Sequence, residues 1–200
     1  ETRAELGLSP GQLAVCHVGR FSPQKNHAFL IDLFARLAAE RPDAVLLLAG
    51  DGPLKADIVR RIEAASLDGR VHMLGVRGDM PRLLAAMDVM VFPSLHEGLP
   101  MALIEAQTAG LPCVISDRIT KEADLGIGLV TRLSLAAPAE SWISAIRETT
   151  DARHPRRAAA EQVRRRGYDI GGVAAELAEY YGQASRRPAS GPAGTRRSVG

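Results

Sequence analysis

The sequence predicts an α/β fold with a doubly wound, mostly parallel sheet, and three observations carry that expectation. Five short apolar runs, Leu13–Val18, Ala44–Ala49, Val71–Leu74, Val89–Phe92 and Cys113–Ser116, lack period-two alternation. Strands buried on both faces of a parallel sheet read this way. Stretches with helical spacing separate the runs, and repeated strand–helix–strand order favours parallel strands joined by crossovers. The composition agrees: 46% apolar and 24% charged residues over 200 positions make a globular balance that excludes full-length disorder. Aromatics supply only 4%, so the core must be built from Leu, Val, Ile and Ala.

Residues 1–12 precede the first strand and are expected to be a linker. Glu1-Thr2-Arg3-Ala4-Glu5 holds neither a start Met nor an apolar signal segment, which suggests a piece of a longer chain. After the strand at Leu13–Val18, Phe29, Leu30, Leu33, Phe34, Leu37 and Ala38 follow the i, i+3, i+4 rule, and Pro42 ends that helix. Beyond Ala44–Ala49, Leu54, Ile58, Val59 and Ile62 repeat the pattern, with Pro53 suited to the first helical position. Leu83, Leu84 and Met87 mark a shorter helix after Val71–Leu74. Ala102, Leu103, Ala106 and Ala109 line a fourth after Val89–Phe92, closed by Gly110. Trp142, Ile143 and Ile146 mark one more, ending a body expected over residues 13–152. Helices are expected over 153–184, the last at Gly172–Tyr181, and the Arg-, Pro-, Ser- and Gly-rich stretch 185–200 reads as a disordered tail.

Charge is unevenly placed. Residues 1–152 carry 15 Lys and Arg against 19 Asp and Glu, whereas 153–200 carry ten Arg against four acids, for a net +2. A basic end can touch nucleic acid or an anionic membrane face. Only Tyr168, Tyr180 and Tyr181 could interleave there as stacking platforms, so no nucleic-acid partner is expected. Cys16 and Cys113 lie inside apolar runs and read as core thiols, suited to a reducing cytoplasm. His17, His27, His72 and His154 read as structural or solvated.

Ligands of open parallel sheets sit beyond the carboxyl ends of the strands, so the segments following the runs are where chemistry is sought. After the first comes Gly19-Arg20-Phe21-Ser22-Pro23-Gln24-Lys25-Asn26-His27. Gly19 permits a sharp exit, Arg20 can grip phosphate oxygens through its planar fork, and Lys25 adds a point charge. Gly50-Asp51-Gly52-Pro53 lacks the third glycine of a dinucleotide fingerprint and reads equally well as a tight turn. Leu74-Gly75-Val76-Arg77-Gly78 is another glycine-rich exit that lets a flat ligand approach the backbone. The densest signal follows the fourth run, from Pro93 to Ala106. Pro100 is suited to start a helix, so the Gly98 and Leu99 amides should border an anion-binding helix tip. Glu97 and Glu105 flank that tip, about 7.5 Å of helical rise separating Pro100 from Glu105, a span that lets two carboxylates bracket one extended ligand.

In order and spacing, Val18-Gly19-Arg20, Lys25-Asn26, Gly50-Asp51-Gly52-Pro53, Leu74-Gly75 and Glu97-x7-Glu105 resemble the motifs of retaining GT-B glycosyltransferases. The resemblance is to the glycosyltransferase family 4 type, especially exopolysaccharide-synthesis members, over about residues 6–150. It implies a Rossmann-like sheet forming the C-terminal, donor-binding half of a GT-B fold, with residues 1–12 as a linker from a missing N-terminal, acceptor-binding domain. By the same resemblance, Arg20 and Lys25 clamp the donor diphosphate and Glu97 contacts sugar hydroxyls near the reacting carbon. Gly19, Gly98 and Leu99 bring backbone to the donor, Val76 lies where backbone recognises the base, and Glu105 holds the ribose hydroxyls. His96 stands where such proteins often carry an aromatic residue.

The implied donor is a nucleotide sugar, UDP-sugar over GDP-sugar on family frequency, and the implied acceptor a glycan or lipid-linked glycan. No cofactor or metal is expected, since the family normally works without one and no Asp-x-Asp pair occurs. The implied site of action is the cytoplasm, with peripheral association of the full-length protein at the inner face of the plasma membrane. Alternatives left open are a non-catalytic nucleotide-sugar-binding subunit paired with a separate acceptor chain, and a sugar-nucleotide epimerase.

Overall fold

A computed structural model describes residues 1–152 and 156–166. Six strands form one parallel sheet: β1 (Leu13–Val18), β2 (Ala44–Ala49), β3 (Val71–Gly75), β4 (Val89–Phe92), β5 (Cys113–Ser116) and β6 (Val130–Leu133). Their order across the sheet is β3-β2-β1-β4-β5-β6, every pair parallel. The sheet is therefore wholly parallel, and it has a sixth strand beyond the five apolar runs. Val130-Thr131-Arg132-Leu133 escapes the apolar-run criterion because Thr131 and Arg132 interrupt it, which a half-exposed edge strand tolerates.

Seven helices accompany the strands among the described residues: α1 (Thr2–Glu5), α2 (His27–Glu40), α3 (Lys55–Ala64), α4 (Met80–Ala86), α5 (Met101–Thr108), α6 (Ala139–Asp151) and α7 (Arg156–Arg165). Successive strand residues alternate between two cores. Val15, Leu46, Leu48, Val91 and Val114 face α2, α3 and α6, where Phe34, Ile58 and Trp142 pack. Cys16, Leu47, Met90, Phe92 and Ile115 face α4 and α5, where Leu83, Leu84 and Leu103 pack. This two-sided burial is why the runs of β1, β2, β4 and β5 carry no polar alternation. Both cysteines are buried thiols outside any disulfide among the described residues, and burial raises the Cys113 pKa.

Residues 1–12 carry α1 and a tether to the body. The Arg3 guanidinium donates to Asp88 (3.0 Å) and to the Gln12 carbonyl (2.5 Å), and Leu8 is buried. Two helix starts differ from expectation. Pro53 lies in the turn before α3, whose first residue is Lys55, and Pro100 is the extended N-cap of α5 rather than its first helical residue. Glu1–Val163 form one unit; residues 164–200 form a second, described only over the end of α7. The expected helix at Gly172–Tyr181 and tail at 185–200 lie outside the described residues. No helix among the described residues is long and apolar enough to cross a membrane.

Candidate functional site

The chain order reverses between β1 and β4, so the loops leaving these neighbouring strands part around a crevice at the carboxyl edge. Those loops carry the two densest motifs, and three polar links stitch them together. The Leu95 amide donates to the Gln24 carbonyl (2.8 Å), the Gln24 side-chain amide to the His96 carbonyl (2.9 Å), and the Asn26 side-chain amide to the Pro93 carbonyl (3.1 Å). Asn26 can make its link because it takes the left-handed conformation (φ 55°) that Asn tolerates, turning a 3-10 turn at Pro23–Lys25 into α2.

Lys25 and Glu97 meet inside this stitched region. Their ammonium and carboxylate lie 2.7 Å apart, with side chains only 15% and 10% exposed. The ammonium also stands over the Phe92 ring, 4.5 Å from its centroid. A Cβ added to Gly19 would come within 2.8 Å of the Lys25 Cε. Gly19 thus serves the site by leaving room for the lysine stem, beyond the sharp exit expected of it.

Beneath the pair lies an aromatic floor that sequence spacing does not reveal. His17 stacks on Phe92 (5.1 Å) and meets His27 edge-on (4.8 Å), and His27 meets Phe21 edge-on (4.9 Å). The Val91 carbonyl accepts from His17 Nδ1 (3.0 Å), so that nitrogen carries the ring proton. His17 Nε2 and both His27 nitrogens are buried without a hydrogen-bond partner among the described residues. Burial first, then His27, lowers the His17 pKa to about 3; burial first, then Lys25, lowers that of His27 to about 4. Both rings are neutral at pH 7, so no second cation competes beneath Lys25.

The remaining candidates line the same edge. Arg20 is exposed and makes no ion pair among the described residues, unlike Arg3, Arg36, Arg41 and Arg77. Gly98 and Leu99 are exposed just before α5, at the positive end of its dipole. Glu105 is exposed on α5, without an ion pair among the described residues, beside a 290 Å³ cavity bordered by Pro81, Leu84 and Ala85 of α4. Val76 is 81% exposed after β3. Its loop is braced by the Arg77–Asp79 pair (2.7 and 2.8 Å), whose guanidinium lowers the Asp79 pKa.

Gly50-Asp51-Gly52, leaving β2 beside β1, packs against the β1 exit. The Phe21 amide donates to the Asp51 carbonyl (2.9 Å), and the Leu54 amide to the Phe21 carbonyl (3.0 Å). A Cβ on Gly52 would meet the Phe21 carbonyl oxygen at 2.6 Å, and one on Gly50 would run into the Gly19 carbonyl. These glycines let two strand exits press together.

The sequence profile described as Glycosyl transferases group 1 matches residues 1–166. This chain belongs to that family. EpsF of Bacillus subtilis (strain 168) is 44% identical over 170 residues, covering 84% of this chain and 44% of EpsF. The UDP-Gal:alpha-D-GlcNAc-diphosphoundecaprenol alpha-1,3-galactosyltransferase of Escherichia coli is 39% identical over 115 residues, 56% of this chain and 30% of that protein. The crystal structure of Anabaena HepE in complex with UDP-glucose superposes with a TM-score of 0.71 at 25% identity, over 90% of this chain and 51% of that one. This group 1 glycosyl transferase chain thus spans about half the length, or less, of the relatives it matches, and its sheet is the Rossmann-like sheet of GT-B glycosyltransferases.

Proposed function

We propose that this chain is the donor-binding half of a retaining glycosyltransferase that moves a hexose-type sugar from a nucleoside diphosphate sugar, UDP over GDP, to a glycan or lipid-linked acceptor. The observation that carries this reading is the largely buried Lys25–Glu97 pair at the switch point, with the tip of α5 and Arg20, which makes no ion pair among the described residues, on the adjoining loops. Cleaving the bond from the anomeric carbon to the diphosphate builds negative charge on the leaving phosphate oxygen. Lys25, Arg20 and the Gly98 and Leu99 amides would stabilise that charge more in the transition state than in the ground state. Glu97 would orient the sugar through its hydroxyls, Glu105 would hold the ribose, and the backbone at Val76 would meet the base. Retention would follow from attack by the acceptor on the face the diphosphate leaves. The UDP-glucose complex of HepE and the UDP-Gal named for the E. coli relative support a UDP-sugar donor. The acceptor would be held by protein outside this chain, at the cytoplasmic face of the membrane.

Melting this chain with and without UDP and GDP tests the reading. A ligand that binds only the folded state at a hundredfold its Kd stabilises by about 2.7 kcal/mol. UDP at millimolar concentration is expected to raise Tm by several degrees, and GDP by less. No shift with either nucleotide would overturn the proposed donor site.

A further inference from the structure

The side chain of Glu97 is held by Lys25; its main chain is held by something else. The segment between β5 and β6 folds back along it, with Ile119 bridged to Glu97 in parallel and the Thr120 amide donating to the Glu97 carbonyl (3.2 Å). From β6, the Leu133 carbonyl accepts from the Asp117 amide (2.8 Å) at the start of that segment, and the Arg132 side chain grips its middle. Arg132 Nη1 donates to the Ile119 carbonyl (2.7 Å) and Nη2 to the Thr120 carbonyl (2.8 Å). Arg132 is half-buried, and among the described residues it spends these donors on main-chain oxygens rather than on an acid. Further along, the buried Gln107 of α5 donates to the Ala123 carbonyl (2.8 Å) and accepts from the Leu125 amide (2.9 Å).

We propose that Arg132 is a positioning residue for Glu97, acting through Ile119 and Thr120. The chemistry of the fork explains the residue type. Two charge-assisted bonds from one rigid plane fix two consecutive carbonyls at once, which a single ammonium cannot do. Gln107 anchors the far end of the segment and Ile119 is seated in the core, so Arg132 is the side chain that fixes the two carbonyls beside Glu97. The carboxylate that would meet the donor sugar is thereby fixed from both sides, by Lys25 at its tip and by the Arg132-held segment at its root. The inference rests on the donor reading above, with Glu97 on the sugar and the nucleotide held elsewhere, by Arg20, Lys25 and Glu105. Loss of the fork should then loosen recognition of the sugar and spare recognition of the nucleotide, a split that simple destabilisation does not produce.

The test uses this chain with Arg132→Met and Arg132→Lys. Calorimetry with UDP, UDP-glucose and UDP-galactose gives the extra affinity contributed by the sugar, and amide exchange reads the Thr120 bond to Glu97. In Arg132→Met the UDP Kd should stay within about twofold, the sugar's contribution should fall at least fivefold, and Thr120 exchange should quicken at least tenfold. Arg132→Lys should be intermediate on both readouts; if Arg132→Met does not fold, the lysine variant decides alone. A sugar contribution or Thr120 protection equal to wild type in a destabilised variant would overturn the proposal. Wild-type protein that binds UDP but gains nothing from either sugar would overturn it too, leaving the nucleotide site standing. Wild-type protein that binds none of the three would instead sink the donor reading on which it rests.

Discussion

At the scale of single residues, the Lys25–Glu97 pair does two jobs that substitutions can separate. Both side chains are largely buried, so removing one partner leaves the other charge uncompensated, at a cost of about 1–3 kcal/mol or more. Lys25→Met should therefore lower Tm and weaken UDP binding together. Adding Glu97→Gln to Lys25→Met should recover part of the Tm but none of the UDP affinity, and a thermal and calorimetric double-mutant cycle measures both. If the double variant is no more stable than Lys25→Met, the pair is not the buried couple described here. Glu105 behaves oppositely. It is exposed and unpaired among the described residues, so Glu105→Ala should leave stability within about 0.5 kcal/mol. A charge-assisted bond to ribose is worth about 1.5–3 kcal/mol, so the UDP Kd should rise roughly 10- to 100-fold in the same variant. Unchanged UDP affinity would remove Glu105 from the site.

At the scale of elements, the loops matter more than the helices, and here the sequence was readable only in part. Helical spacing located five helices, and apolar runs located five strands: β1, β2, β4 and β5 because they are buried on both faces, and edge strand β3 because it keeps an apolar run although half-exposed. Edge strand β6 was hidden because Thr131 and Arg132 interrupt its apolar pattern, and α1 because four residues are too few to show a period. The candidate residues stood out as charges beside glycines at strand ends. What they rest on did not: Asn26, Gln24, His17 and Phe92 become partners only when crossovers bring residues some 70 positions apart into contact, and Arg132 finds its partners only when the β5–β6 segment folds back across 12 and 13 positions. Gly50-Asp51-Gly52 is the clearest example, a plain tight turn in sequence and an interlocked support in the fold. Gly52→Ala would push its Cβ against the Phe21 backbone, which cannot swing aside as a side chain can. It should cost about 1–3 kcal/mol, as overpacking does, and weaken UDP binding by shifting Arg20 and Lys25. Gly19→Ala meets only the Lys25 side chain, which can give way by straining its pair with Glu97, so it should weaken UDP binding with a smaller loss of Tm than Gly52→Ala. Equal losses of Tm in the two variants would contradict this ranking of backbone over side-chain contact.

At the scale of the whole molecule, the floor of the site determines how the fold meets acid. In the unfolded chain His17 and His27 take up protons near the ordinary value of 6.5, whereas in the fold they do so only near 3 and 4. Burial is the first cause for both, and mutual repulsion with Lys25 nearby adds to it. Between these values the unfolded state binds more protons, so stability rises with pH across the window. It is complete above about pH 6.5 and is lost as pH falls toward 3, by an amount on the order of several kcal/mol. The lowered carboxylates Asp43, Asp51 and Asp79 contribute only further down, as they begin to protonate below about pH 4. A domain of this size loses about 2–4 °C of Tm per kcal/mol, so wild-type Tm should drop by more than about 5 °C between pH 7 and pH 4.5. His27→Phe keeps a planar ring against Phe21 and His17, removes two buried nitrogens without a hydrogen-bond partner among the described residues, and cannot take a proton. Its Tm should equal or exceed wild type at pH 7 and fall distinctly less on acidification, since His17 then titrates without its charged neighbour. Parallel Tm–pH slopes for the two proteins would show that acid attacks the fold elsewhere. A flattened slope would tie the acid stability of the whole sheet to two neutral rings beneath one lysine.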